Sequence, residues 1–299
     1  NGVTEQTRRH SIIASLLHIP EVVVAVNKMD LVGYDQKVFD NIKKEYEGIE
    51  KQLNLKQVHY FPISAFVGDN IVNTTSAMPW YQGDSLLHFL ERVQINSHPY
   101  DKPRFQVQYV IRPQTEELHD YRGYAGQVLS GTYTKGDTLT ILPQGVTTSL
   151  SRIEVDGQEV EEVQAGTPAV LHISDDIDIS RGDYLVKADS EPHIEQTLEA
   201  TLCWMDRREL QEGSRYLLQQ RARLTKVIVK EIIYKIDVNT LAQDTESKSV
   251  KLNEIAKVQL KAASPLVYDP FEENPPMGSA ILIDETSNAT VAGVLINEF

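Results

Sequence analysis

Cysteine is the scarcest chemistry in this sequence. Cys203 is the single one in 299 residues, so the chain can form neither an internal disulfide nor a thiolate metal cluster of its own. A reducing cytoplasm is the expected location. Long apolar runs are missing as well: no stretch approaches the roughly 18 residues that a membrane helix needs. The opening NGVTEQTRRH also lacks the charged-then-apolar order of a secretory signal. No association with a membrane is expected. Positive charge is in deficit, with 29 Lys and Arg against 43 Asp and Glu and a net charge of -14. That balance argues against broad attraction to nucleic acid, which is driven by cations displacing counterions from phosphates. The densest basic stretch, between Arg207 and Lys230, reads as the solvated face of successive strands. The eight histidines show no HExxH and no paired helical spacing. No metal ligand and no catalytic residue is therefore named.

What the sequence does contain is enough apolar material, 41%, for two or three domains. The first hundred residues alternate helix and strand. Ile12, Ile13, Leu16 and Leu17 recur at helical spacing over Thr7–Leu17. Val22–Val26 is a short β-branched run of the kind covered on both faces in a parallel sheet. Asp35–Leu53 is helical again through Val38, Ile42, Tyr46 and Ile49. Tyr60–Ile63 is a second strand, and Ser85–Val93 a closing helix carrying Leu86, Leu87 and Leu90. This order is half of a doubly wound α/β domain. Beyond NSHPYDKPR the chain turns to short strands separated by Gly, Asp and Pro turns, the grammar of small closed barrels. Polar KADSEPHIEQ, residues 187–196, reads as a linker between two such regions. The expected domains are 1–96, 97–190 and 191–299: an α/β piece and then two β-barrels.

Within this frame one short stretch carries chemistry. Asn27-Lys28-Met29-Asp30 directly follows the strand Val22–Val26. An aspartate there can accept two hydrogen bonds from the N1 and N2 donors of guanine, which adenine does not offer. Asn27 can tie the loop to neighbouring backbone and reach the N7 side of the base, and the stem of Lys28 can lie along the ring. By composition alone the pattern N-K-x-D arises by chance in roughly 4% of chains this long, so context has to carry it. Thirty-four residues after Asp30 the second strand ends in Ile63-Ser64-Ala65, where a loop N–H could donate to guanine O6. The residues expected to bind guanine are Asn27, Lys28, Asp30, Ser64 and Ala65.

NKMD resembles the fourth guanine-recognition motif of translation-factor-type GTPases, and Ser64-Ala65 resembles the fifth. A nucleotide domain followed by two barrels is similar to elongation factor Tu. Within that superfamily the closer resemblance is to the large GTP-binding subunit of bacterial sulfate adenylyltransferase. It is carried by GVTEQTRRHSIIASLL, VNKMDLVGYDQKVFD, MPWYQGDSLLHFLE, RGYAGQVLSGTYTKGDTLTILP, YKIDVNTL and DPFEENPPMGSAILID, and it covers nearly the whole chain. MPWYQG and YKIDVNTL are the more specific stretches. On residue physics alone Met78, Pro79, Trp80 and Tyr81 read as a cap for the helix near Ser85, with Trp80 filling a gap between domains. Ile236, Val238, Leu241, Cys203 and Trp204 read as barrel core.

The resemblance implies a GTPase subunit paired with a smaller catalytic subunit that moves AMP from ATP to sulfate. It implies GTP with Mg as cofactor in the full-length parent. An elongation factor binding aminoacyl-tRNA is the alternative. No phosphate loop of the form GxxxxGK[ST] occurs, and no DxxG stands ahead of NKMD. The expectation is an N-terminally truncated polypeptide that neither hydrolyses GTP nor binds it tightly, because the triphosphate has no cradle here.

Overall fold

The computed structural model describes residues 2–94, 100–113, 121–237 and 240–297. The chain divides into two units, Asn1–His98 with Val238–Leu241, and Pro99–Asp237 with Ala242–Phe299.

In the first unit, helix α1 (Glu5–Leu16) begins at a reciprocal cap in which the Thr4 and Thr7 hydroxyls each accept from the other's backbone N–H. Strands β1 (Val22–Val26) and β2 (Val58–Pro62) pair in parallel, from Val22 opposite Val58 to Val26 opposite Pro62. Between them runs α2 (Gln36–Leu53), started by the Asp35 carboxylate accepting from Lys37 N–H. It buries Phe39, Tyr46 and Ile49. The Tyr46 hydroxyl lies 2.8 Å from Ser11 Oγ and ties α2 to α1.

Two expectations need correcting here. β1 is not covered on both faces: Val22, Val23 and Val24 are half-buried, Ala25 is exposed and only Val26 is buried. Among the described residues β1 pairs only with β2, so its apolar sequence outruns the cover it receives. The last helix, α3 (Leu86–Arg92), docks through Phe89 rather than its leucines. The Phe89 ring lies 5.2 Å from that of Phe61 and 4.4 Å from that of His59, while Leu87 and Leu90 face solvent.

The second unit holds two closed barrels. The first uses β3 (Arg104–Ile111), β4 (Gly123–Ser130), β5 (Thr132–Thr134), β6 (Thr138–Leu142), β7 (Val146–Val155), β8 (Gln158–Val160), β9 (Glu162–Gln164), β10 (Pro168–Ile173) and β11 (Tyr184–Lys187). Its sheet runs β10-β4-β3-β11-β6-β7 and closes where β7 meets β10. The last barrel uses β12 (His193–Trp204), β13 (Leu210–Gln211), β14 (Arg215–Gln220), β15 (Arg223–Ile236), β16 (Gln243–Asp244), β17 (Ser249–Val250), β18 (Ile255–Tyr268), β19 (Ser279–Ile283) and β20 (Thr290–Ile296). It runs β14-β19-β20-β12-β18-β15 and closes where β15 returns to β14. Each is thus six-stranded, and the alternation of inward and outward side chains fills the interior. Gly278 sits where the chain folds tightly on itself: a Cβ there would lie 2.3 Å from the Phe271 backbone.

The stretch read as a linker, 187–196, is half strand. β11 ends at Lys187 and β12 starts at His193, so only 188–192 connects the barrels, and Arg104 Nη1 donates to the Ser190 carbonyl at 2.6 Å. The barrels are bolted together by Arg104, which is fully buried and donates through Nε and Nη2 to the Asp269 carboxylate at 2.8 and 2.9 Å. Asn274 Nδ2 donates to the same carboxylate at 2.8 Å. Leu142, Tyr184 and Val186 of one barrel pack with Val267 and Met277 of the other. Trp204 is buried as expected, but its neighbour Cys203 is only half-buried, since adjacent strand residues point to opposite faces. Ile236 and Leu241 are half-buried rather than core, and Val238 lies outside the described residues.

Candidate guanine-recognition site

The residues singled out near the ends of β1 and β2 converge. Beyond Val26, Lys28 adopts a left-handed conformation (φ 67°, ψ 35°) and turns the chain into a single 3-10 turn, Met29–Val32. Met29 plugs this turn into the unit's interior, 1% exposed, among Val26, Phe39 and Met78. Burying that apolar side chain fixes its neighbours, Lys28 and Asp30, at the surface. Backbone bonds join the two loops: Ile63 N–H donates to the Val26 carbonyl at 2.9 Å, and Met29 N–H to the Ile63 carbonyl at 3.2 Å.

The polar side chains are set on this frame. Ser64, fully buried, donates its hydroxyl to Asp30 Oδ1 at 2.6 Å. Each carboxylate oxygen carries two acceptor sites, so beside the Ser64 bond Asp30 retains the capacity for three further donors. Asn27 Oδ1 accepts from Lys28 N–H at 2.7 Å and from Ala65 N–H at 3.0 Å. Its Nδ2 has no partner among the described residues and stays available as a donor. The Ala65 amide is thus engaged by Asn27, whereas the following amide, that of exposed Phe66, has no acceptor among the described residues and is open to one. Lys28 is exposed, with its stem uncommitted.

Sequence reasoning missed the buttress behind these loops. Tyr34 donates its hydroxyl to Asp69 Oδ2 at 2.8 Å, and this hydrogen bond first, then desolvation, raises the tyrosine's pKa. Trp80 Nε1 donates to the Tyr34 carbonyl at 3.0 Å, and its ring lies 5.4 Å from that of Phe39. Buried Asn70 donates to the Pro62 carbonyl at 2.9 Å. Met78 and Trp80 therefore pack behind Asp30 inside the first unit, not as a cap for α3; Ser85 performs that task. The signal available in sequence was a large aromatic pair in a loop with no helical or strand period of its own. No group of acidic, histidine or cysteine side chains able to hold a metal occurs among the described residues. No described helix is long and apolar enough to cross a membrane.

Comparison with known proteins bears on family and fold. A family described as "Elongation factor Tu GTP binding domain" matches residues 1–99, and one described as "GTP-eEF1A C-terminal domain-like" matches residues 197–297. The sulfate adenylyltransferase subunit 1 of Teredinibacter turnerae is 43% identical over 297 residues, covering 99% of this chain and 62% of that protein. The bifunctional enzyme CysN/CysC of Mycobacterium tuberculosis is 42% identical over 298 residues, covering 99% of this chain and 48% of that protein. The chain thus spans about half to three-fifths of the length of these relatives. Among solved structures, sup35 complexed with GMPPNP superposes with a TM-score of 0.62 at 20% identity over 98% of this chain and 73% of that one, a likeness of fold. The translation elongation factor SelB of Methanococcus maripaludis gives a TM-score of 0.53 at 17% identity over 100% of this chain and 61% of that one. Residues 1–99 and 197–297 thus match elongation-factor-type domains, and along nearly its whole length the chain is homologous to part of the sulfate adenylyltransferase subunit 1 proteins.

Proposed function

We propose that this chain is the base-reading and barrel portion of the GTPase subunit of a cytoplasmic sulfate adenylyltransferase. In that enzyme GTP hydrolysis drives the uphill formation of adenosine 5′-phosphosulfate from ATP and sulfate, and a smaller subunit carries the adenylyl transfer. The observation that carries the reading is the convergence of Asp30 with Ser64 at 2.6 Å and of Asn27 with Ala65 at 3.0 Å, at the ends of two parallel strands. Asp30 accepts from N1 and N2 of guanine, Asn27 Nδ2 donates to N7, and the Lys28 stem covers one face. The Ala65–Phe66 backbone supplies a donor to O6. Ser64 does not touch the base; its hydroxyl orients the carboxylate.

The residues present fit a guanine base and do not fit the rest of the nucleotide. No phosphate loop occurs in these 299 residues, so we derive no step at the phosphates and assign no Mg ligand. Coupling between hydrolysis and adenylyl transfer requires that the nucleotide state change the contact with the smaller subunit.

Titration of the isotope-labelled chain with guanosine and with adenosine tests base recognition. Guanosine is expected to shift the amides of Asn27, Ala65 and Phe66 saturably, and adenosine is not; equal responses would sink the assignment. Size-exclusion of the chain mixed with a small sulfate adenylyltransferase subunit, or with aminoacyl-tRNA, tests the assembly. Co-elution with the former is expected. Co-elution with the RNA alone would replace this reading with a translation factor.

A further inference from the structure

The first barrel carries a concavity of about 930 Å³ that shares no residue with the loops above. Three guanidinium groups line it, those of Arg112, Arg122 and Arg152, together with His172, Tyr121 and Tyr124. The barrel does not need them to close, since its core is apolar and lies behind Leu150, Ile153 and Leu171.

Two of the arginines are held in place. Arg122 lies over the Tyr124 ring, 5.6 Å from its centroid, and Arg152 over the Tyr121 ring at 5.4 Å. The Tyr121 ring stands edge-on to His172 at 5.0 Å. His172 Nδ1 is 2.8 Å from the Arg122 carbonyl, which can only accept, so Nδ1 carries the proton. The lone pair of Nε2 then accepts from Arg152 Nη2 at 3.2 Å, and the same nitrogen lies 3.1 Å from Glu154 Oε1, whose charge opposes the effect of Arg152 on this ring. Burial first, and then Arg152, lower the pKa of this imidazole and keep it in that neutral form. Glu154 pairs with Arg152 and accepts the Tyr121 hydroxyl at 3.0 Å, which fixes the second tyrosine–arginine pair.

The counter-charges on the solvent side are loosely held. Arg122 pairs with Asp176 and, at 3.7 Å, with Asp178, whose side chains are 90% and 98% exposed. Pairs of that kind exchange readily for a better acceptor. Asp175 is turned toward the barrel wall, where it accepts from Thr148 Oγ1 at 2.7 Å. Arg112 is exposed and forms no ion pair with another described residue. Guanidinium forks, two of them positioned by aromatic rings, suit the multiple oxygens of a tetrahedral anion better than a single carboxylate.

We propose that this concavity binds the tetrahedral oxyanion of a phosphate- or sulfate-bearing small molecule, gripped by Arg112, Arg122 and Arg152, with Asp176 and Asp178 competing for Arg122. The proposal stands apart from the guanine reading.

Calorimetric titration of the 299-residue chain at low ionic strength tests it, with inorganic phosphate, inorganic sulfate, uridine 5′-monophosphate and chloride as probes. The pyrimidine keeps the nucleotide out of the purine loops. Saturable one-to-one binding of a tetrahedral anion is expected. Arg112→Gln, at an exposed position that leaves the fold intact, weakens it about tenfold, the worth of one charge-assisted bond. The double change Asp176→Asn with Asp178→Asn tightens it severalfold, and Arg215→Gln on the other barrel leaves it unchanged. Preference for the nucleotide identifies an organic ester as the ligand class, and parity identifies the free ion. The proposal is overturned if no probe saturates, if chloride binds as well as phosphate, or if Arg112→Gln titrates like the parent.

Discussion

The two units are held together on different scales. Among the described residues the last barrel closes on a cluster of 23 buried apolar side chains and the first barrel on 14, while the first unit offers clusters of four and three. The barrels have no open sheet edge between first and last strand, whereas β1 is half-covered beside its single partner. The lesson is that the larger cores and the loops proposed to read guanine reside in different places. Those loops stand on the thinner core, and they keep their shape through hydrogen bonds between loops as much as through burial.

The largest effect is expected where the barrels meet. Arg104→Ala leaves the Asp269 carboxylate buried without its guanidinium and should cost the barrel unit about 3–5 kcal/mol, read as a lowered barrel transition in calorimetry. The transition of the first unit should not move. If both fall together, the contrast between the units is wrong. Met29→Ala empties a buried site in the thinner core and should cost about 2–5 kcal/mol there, enough to free residues 1–98 for proteolysis while the barrels persist. Barrels cut first would reverse the comparison. Trp80→Phe keeps the ring against Phe39 but removes the donor to the Tyr34 carbonyl, at about 1 kcal/mol. It should raise amide exchange in residues 29–34 and leave the barrels unchanged.

The smallest effect is a pH dependence confined to the barrels. The unfolded chain protonates His172 at about 6.5, while the folded chain holds it neutral to lower pH. The unfolded state therefore binds the additional proton, and barrel stability, fully present above about pH 7, declines as pH falls through about 6. His172→Gln should flatten that slope in a series of thermal melts.

How much of this was legible depends on sequence separation. Asn27 through Asp30 are contiguous at a strand end, so their shared placement was readable once the strand was recognised, and the position of Ser64-Ala65 followed from the second strand. The barrels were readable as alternating strands with turn residues. Tyr34 with Asp69, Trp80 with Tyr34 and Arg104 with Asp269 lie 35, 46 and 165 residues apart, and no local period announces such pairs. The same limit explains the linker read at 187–196. Polarity and a proline look like a spacer, but outward-facing strand residues are polar too, and Arg104 supplied the bond that holds the turn. β1 misled in the other direction, because β-branched composition reports the cover a strand can use and not the cover it has.

Asp30→Asn gives the most direct test of the central claim, that this carboxylate selects guanine. An amide at that position turns one acceptor into a donor, which matches the C2 carbonyl of xanthine in place of the guanine amine. Titrated in parallel by NMR, the variant should lose its response to guanosine and gain one to xanthosine at the Asn27, Ala65 and Phe66 amides. A variant that still prefers guanosine would contradict the account.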